Sequence, residues 1–132
     1  MNNSQITRSQ LIDLTNAAYQ LGNFESARKL FIAWLKVYPN DLWIRYRLAI
    51  VLYKSGKKNE AIRLCEVIIR YDPEFIEVWE LLAALYPQKS EDRKDAVSRV
   101  KLLKSFEKQD AAKNQKGLST IFARKPGQKP FD

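Results

Sequence analysis

The chain contains no histidine and a single cysteine, Cys65. Without an imidazole there is no Ser-His or Cys-His nucleophile pair and no His-rich metal site. One cysteine forbids an internal disulfide, which fits a reducing compartment. It sits in an apolar helical run, Ala61–Ile69, where burial raises a thiol pKa, so it reads as a core residue. The four glycines stand at positions 22, 56, 117 and 127, too scattered for a phosphate-cradling GxxxxGK or GxGxxG loop. No apolar run approaches the 18 residues of a membrane span, and Met1 to Gln5 lacks the basic start and apolar stretch of a secretory signal. Carboxylates such as Glu77 and Glu80 suit a solvated helix face better than acid–base chemistry. These absences together predict a cytoplasmic protein that is not an enzyme, with no cofactor, no metal and no membrane association.

What is present is a pattern written twice. At 132 residues the chain is one domain, long enough to bury a core. Gly22-Asn-Phe-Glu-Ser-Ala27 lies over Gly56-Lys-Lys-Asn-Glu-Ala61 at an offset of 34 residues. The same offset carries Leu14 onto Leu48, Leu30 onto Leu64, Leu35 onto Ile69 and Pro39 onto Pro73. Thr7 and Gln10 form a capping-box pair ahead of helical apolar spacing at Leu11, Leu14, Ala18 and Leu21, and Gly22 closes that helix. A second helix is predicted over 25–37, with Ala27, Leu30, Phe31, Trp34 and Leu35 as its stripe. Repeat two copies the plan over 42–55 and 60–71. Helices of this length joined at a glycine make antiparallel hairpins.

A period of 34 residues, with Ala27-x3-Phe31…Pro39 and Ala61-x3-Cys65…Pro73, resembles the tetratricopeptide repeat. The first-helix part of that signature is clearest in the third unit, Trp79-x2-Leu82-Ala83-x2-Tyr86; Thr15 and Ala49 take the small position in the first two. The resemblance implies an all-α, right-handed superhelical stack of antiparallel helix hairpins, an α-solenoid. Repeats fall at about 8–41, 42–75 and 76–109, within a domain over 1–112. The third is atypical: its first helix, 76–86, ends at Pro87 with no glycine. Ser90-Glu-Asp then caps a long helix over 91–112, with Ala96, Val100, Leu103 and Phe106 on its inner stripe. A long, charged last helix suits a terminal cap that must face water. Beyond Ala112 the periodicity fails, and 113–132 reads as a basic, disordered tail or linker with one apolar island, Leu118–Phe122. Its abrupt end suits a piece of a longer protein.

The resemblance also implies a binding groove lined by the first helix of each repeat, for a protein or peptide ligand. By alignment the groove displays Asn16 and Tyr19 from repeat one, and Trp43, Tyr46, Arg47, Ile50, Tyr53 and Lys54 from repeat two. Aromatics, an aliphatic and two cations on one helix face have the composition of an interaction hot spot. The plainer reading has Trp43 packing on the neighbouring repeat and Arg47 in solvent. Receptors of this family for the carboxylate tail of heat-shock chaperones want other residues at Ile12, Arg47, Glu77 and Leu81, and only Asn16 fits. Charge supplies a rival. Residues 1–88 hold 11 basic and 9 acidic residues, net +2; residues 89–132 hold 12 and 6, net +6. The basic third could bind nucleic acid or an acidic partner through salt-sensitive phosphate or carboxylate contacts. Self-association into a homo-oligomer is a third possibility.

Overall fold

The computed structural model describes residues 5–118, with side chains through Ala112. Six helices follow one another, and the described residues contain no strand: α1 (Arg8–Gln20), α2 (Phe24–Val37), α3 (Leu42–Lys54), α4 (Lys58–Tyr71), α5 (Ile76–Leu85) and α6 (Glu91–Leu118). They pack as an α-helical repeat solenoid in which each helix touches the one before and the one after.

Local chemistry sets each boundary. At α1 the Thr7 hydroxyl accepts from the Gln10 N–H at 3.0 Å, and the Thr7 N–H donates to Gln10 Oε1 at 2.9 Å, completing the capping box. Gly22 and Gly56 adopt φ of 74° and 86°, the left-handed geometry that ends a helix. The next N–H groups reach back five residues, Asn23 to the Ala18 carbonyl and Lys57 to the Leu52 carbonyl, both at 2.8 Å. Ser90 caps α6, its hydroxyl accepting from the Arg93 N–H at 3.1 Å.

The core follows the repeat. Ala27, Ala61 and Ala96, at one repeat position of α2, α4 and α6, are fully buried, and Thr15 and Ala49 are buried at the small position of α1 and α3. The Thr15 hydroxyl donates to the Leu11 carbonyl at 2.7 Å, which satisfies a polar atom inside the core. Tyr86 ties repeat three to repeat two by donating to Glu66 on α4 at 2.6 Å.

The last helix differs in two details from the pattern read in the sequence. It runs on past Ala112 to Leu118, because no proline or glycine interrupts the chain until Gly117. Ala96 and Leu103 are buried as expected, whereas Phe106 is about half exposed. The cause is length: α5 has 10 residues and α6 has 28, so α6 outruns the helix that covers it. Residues 119–132, most of the expected tail with Ile121, Phe122 and the Arg124–Pro130 stretch, lie outside the described residues.

Candidate functional site: an aromatic-walled cleft across the first helices

An open cleft of about 930 Å³ runs across the first helices of the three repeats. Arg8 and Ile12 of α1, Trp43 and Arg47 of α3, and Ile76 and Glu77 of α5 line it. Its size falls in the range of about 300–1,000 Å³ usual for ligand clefts.

One wall is aromatic. Trp43 stacks on Phe75 with ring centroids 5.5 Å apart and planes 4° from parallel. Tyr46 stands 5.6 Å from Phe75 and 5.4 Å from Trp43. The wall exists because of a substitution at a cap. The 34-residue period sets Phe75 against Asp41, and both are N-cap residues, of α5 and α3. Asp41 accepts from the Ile44 N–H at 3.2 Å, while Phe75 makes no side-chain cap bond. Replacing a good cap by an apolar residue costs a helix about 1 kcal/mol. Here that loss coincides with a ring held against Trp43 and Tyr46.

The polar side of the cleft is anchored by Asp41. Its carboxylate accepts two hydrogen bonds from the Arg8 guanidinium, at 2.9 and 3.1 Å, and one from Trp34 Nε1 at 2.9 Å. Burial opposes ionisation of this carboxylate, but the bonds from Arg8, Trp34 and the Ile44 N–H outweigh it and hold its pKa below the ordinary value. Beside it, Arg47 Nη1 donates to Asn16 Oδ1 at 2.9 Å, linking α3 to α1. Arg47 Nε is buried and makes no hydrogen bond among the described residues. Burial, and then the neighbouring Arg8 charge, lower the Arg47 pKa, although a guanidinium stays protonated at neutral pH.

The far rim is acidic: Asp72, Glu74, Glu77 and Glu107 border the cleft. Burial foremost, then Glu77 and Glu80, raises the pKa of the Tyr46 hydroxyl, keeping it neutral and able to donate. The cleft is thus cationic toward α1 and α3, aromatic in the middle and anionic toward α5 and α6.

Not every residue singled out in the sequence converges here. Trp43 and Arg47 line the cleft, while Tyr46 and Asn16 stand behind the lining, Tyr46 against Trp43 and Phe75 and Asn16 accepting from Arg47. Ile50 is half-buried along α3. Tyr19 meets Phe24 edge-on at 5.5 Å, at the opposite end of α1 from Arg8. Tyr53 and Lys54 pair with each other, the ammonium 5.6 Å from the ring, at the C-terminal end of α3 and outside the cleft lining. Phe75, Arg8, Asp41 and Glu107 were not singled out. Phe75 had a signal in the sequence, an apolar residue at a cap position; Glu107 had none, because its place depends on how far α6 outruns α5.

Cys65 is wholly buried, and that burial pushes its thiol up to about 12. Among the described residues no group of three or more Cys, Asp or Glu is arranged to hold a metal ion, and no helix is long and apolar enough to cross a membrane.

Comparison with known proteins agrees with the repeat geometry. Residues 18–85, just over half of the chain, match the tetratricopeptide repeat family. A TPR repeat-containing protein of Methanocaldococcus jannaschii is 44% identical over 52 residues, covering 39% of this chain and 9% of that protein. A TPR repeat-containing thioredoxin of Arabidopsis thaliana is 31% identical over 71 residues, 54% of this chain and 10% of that protein. The chain therefore spans about a tenth of the length of these relatives.

Proposed function

The chain belongs to the tetratricopeptide repeat family, whose repeats generally mediate protein–protein interaction, and from that premise we propose that it binds a segment of a partner protein in the cleft across α1, α3 and α5, without catalysing a reaction. The observation that carries this reading is the Trp43–Phe75–Tyr46 wall beside Arg47. Aromatic residues and arginine concentrate binding energy when they are preorganised and partly desolvated. The ligand lays an apolar side chain on the wall, offers an acceptor to the Arg47 guanidinium where it borders the cleft, and turns any cationic group toward Glu74 and Glu107. Lys54 and Tyr53 extend the surface beyond the cleft, and the work takes place in the cytoplasm.

The basic last third supports a second reading, in which net +6 over residues 89–132 draws nucleic acid or another polyanion. The acidic rim of the cleft favours the first, since Asp72, Glu74, Glu77 and Glu107 beside the aromatic wall would repel a polyanion.

A peptide library titrated against the full chain, in parallel with Trp43→Ala/Tyr46→Ala, separates the two. Selected peptides bind the folded double variant at least about tenfold more weakly, as expected for loss of hot-spot residues. Unchanged affinity, with helicity by circular dichroism intact, overturns the cleft assignment.

A further inference from the structure

The cleft carries a charge opposite in sign to that of the chain that forms it. The chain has net charge +8. The cleft lining sets two guanidiniums, Arg8 and Arg47, against four carboxylates, Asp72, Glu74, Glu77 and Glu107, a net of −2. Arg8 is already paired with Asp41, which lies outside the lining. The side chains of Glu74 and Glu107 are exposed and make no hydrogen bond or ion pair among the described residues. Lys104, one turn before Glu107, is held instead by Glu80 of α5 at 3.1 Å.

The repeat register adds a second observation. Counted from the buried Ala27, Ala61 and Ala96, one position of the second helices carries Val37, Tyr71 and Phe106, which are 61%, 74% and 49% exposed. The next position carries Tyr38, Asp72 and Glu107. In repeats two and three, therefore, an exposed aromatic residue immediately precedes a carboxylate of the cleft lining. A ring and a carboxylate side by side suit a Lys or Arg side chain, the ring covering its stem and the carboxylate taking its charge. Repeat three already makes both contacts within itself: the Arg99 guanidinium lies 5.3 Å over the Trp79 ring, and Lys104 pairs with Glu80. Among the described residues no three carboxylates converge as they would on a metal ion, so the matching charge is one spread along a chain.

We propose that the occupant of the cleft is a cationic segment, an extended stretch of a partner protein in which Lys or Arg flanks an apolar side chain. The assignment rests on the cleft reading given above and specifies its ligand. The apolar side chain lies on the Trp43–Phe75 stack. One flanking cation reaches Asp72 and Glu74 along Tyr71, and another reaches Glu107 along Phe106. An anionic segment would find Arg47 alone to meet it. Long-range and local electrostatics then favour opposite ligands: the field of a +8 chain draws acidic peptides, whereas the cleft selects basic ones. A preference of this chain for cations can arise only at a local anionic site.

Fluorescently labelled peptide pools with a randomised apolar centre, flanked by Lys, by Gln or by Glu, test this when titrated against the full chain. The Lys pool is expected to bind about tenfold more tightly than the Gln pool, and the Glu pool more weakly still. Glu74→Lys/Glu107→Lys, with helicity by circular dichroism intact, abolishes that preference, and Trp43→Ala/Tyr46→Ala weakens binding of every pool. Binding of the Gln or Glu pool as tight as that of the Lys pool overturns the proposal. So does a Lys preference that survives Glu74→Lys/Glu107→Lys, or binding of none of the pools. Where binding lacks the Lys preference but is still lost from Trp43→Ala/Tyr46→Ala, the cleft reading stands and the cationic ligand alone falls. Where Trp43 and Tyr46 make no difference, both fall.

Discussion

At the scale of single residues, Asp41 has the most work concentrated in it. One carboxylate caps α3, pairs with Arg8 on the previous repeat and holds the Trp34 indole. Asp41→Ala removes all three and is expected to cost about 2 kcal/mol, roughly one for the cap and one for the pair and indole bond. The pH dependence has a definite sign. A carboxylate whose folded pKa is depressed contributes stability above its unfolded pKa of about 3.9 and loses it as pH falls through the lower folded value. Urea unfolding should therefore show a wide gap between the native chain and Asp41→Ala at pH 7 and a narrower one near pH 3. A gap that does not change with pH would mean that the charge of Asp41 contributes nothing. This network was not legible beforehand. Asp41 reads as a cap from its place after Pro39-Asn40, but Arg8 and Trp34 come to it only when two repeats stack.

At the scale of elements, the helices were largely readable because their ends carry chemistry. Thr7 with Gln10, Gly22, Gly56 and Ser90 each specify a start or a stop, and each does so in the structure. Boundaries slipped where the cap is poor. α4 begins at Lys58, two residues earlier than its apolar pattern suggests, behind Lys57, which makes no side-chain cap bond. Its counterpart Asn23 has a similar backbone (φ −87°, ψ 70° against −104°, 58°) and accepts from the Ser26 N–H. Lys57→Asn should therefore stabilise the domain by about 0.5–1 kcal/mol, read as a higher denaturant midpoint at unchanged m-value. A lower midpoint would show that the Lys57 stem packs in a way that outweighs a cap. The long α6 was misjudged for the opposite reason: nothing in its sequence announces where α5 ceases to cover it.

At the scale of the whole molecule, the 34-residue offset made the architecture legible, since it repeats both the turn glycines and the buried alanines. The groove face of α3 was legible in part. Trp43, Tyr46 and Arg47 could be placed on one helix face by spacing alone. That Phe75 completes the wall depends on the next repeat docking at the right register, and helical periodicity within α3 contains no information about it. The same holds for the acidic rim, which draws on loop residues and on α6. Cleft and charge divide the molecule: an aromatic wall in the first, a basic last third of the sequence in the second. The central claim is that the cleft, and not the charge, selects the partner. Pull-down from native cell extract with the full chain as bait, with and without nuclease and at two salt concentrations, tests it most directly. The account predicts a protein retained through nuclease and moderate salt and lost from Trp43→Ala/Tyr46→Ala bait. Recovery that collapses with nuclease or salt, and is indifferent to Trp43 and Tyr46, would contradict it and make the basic third the working surface.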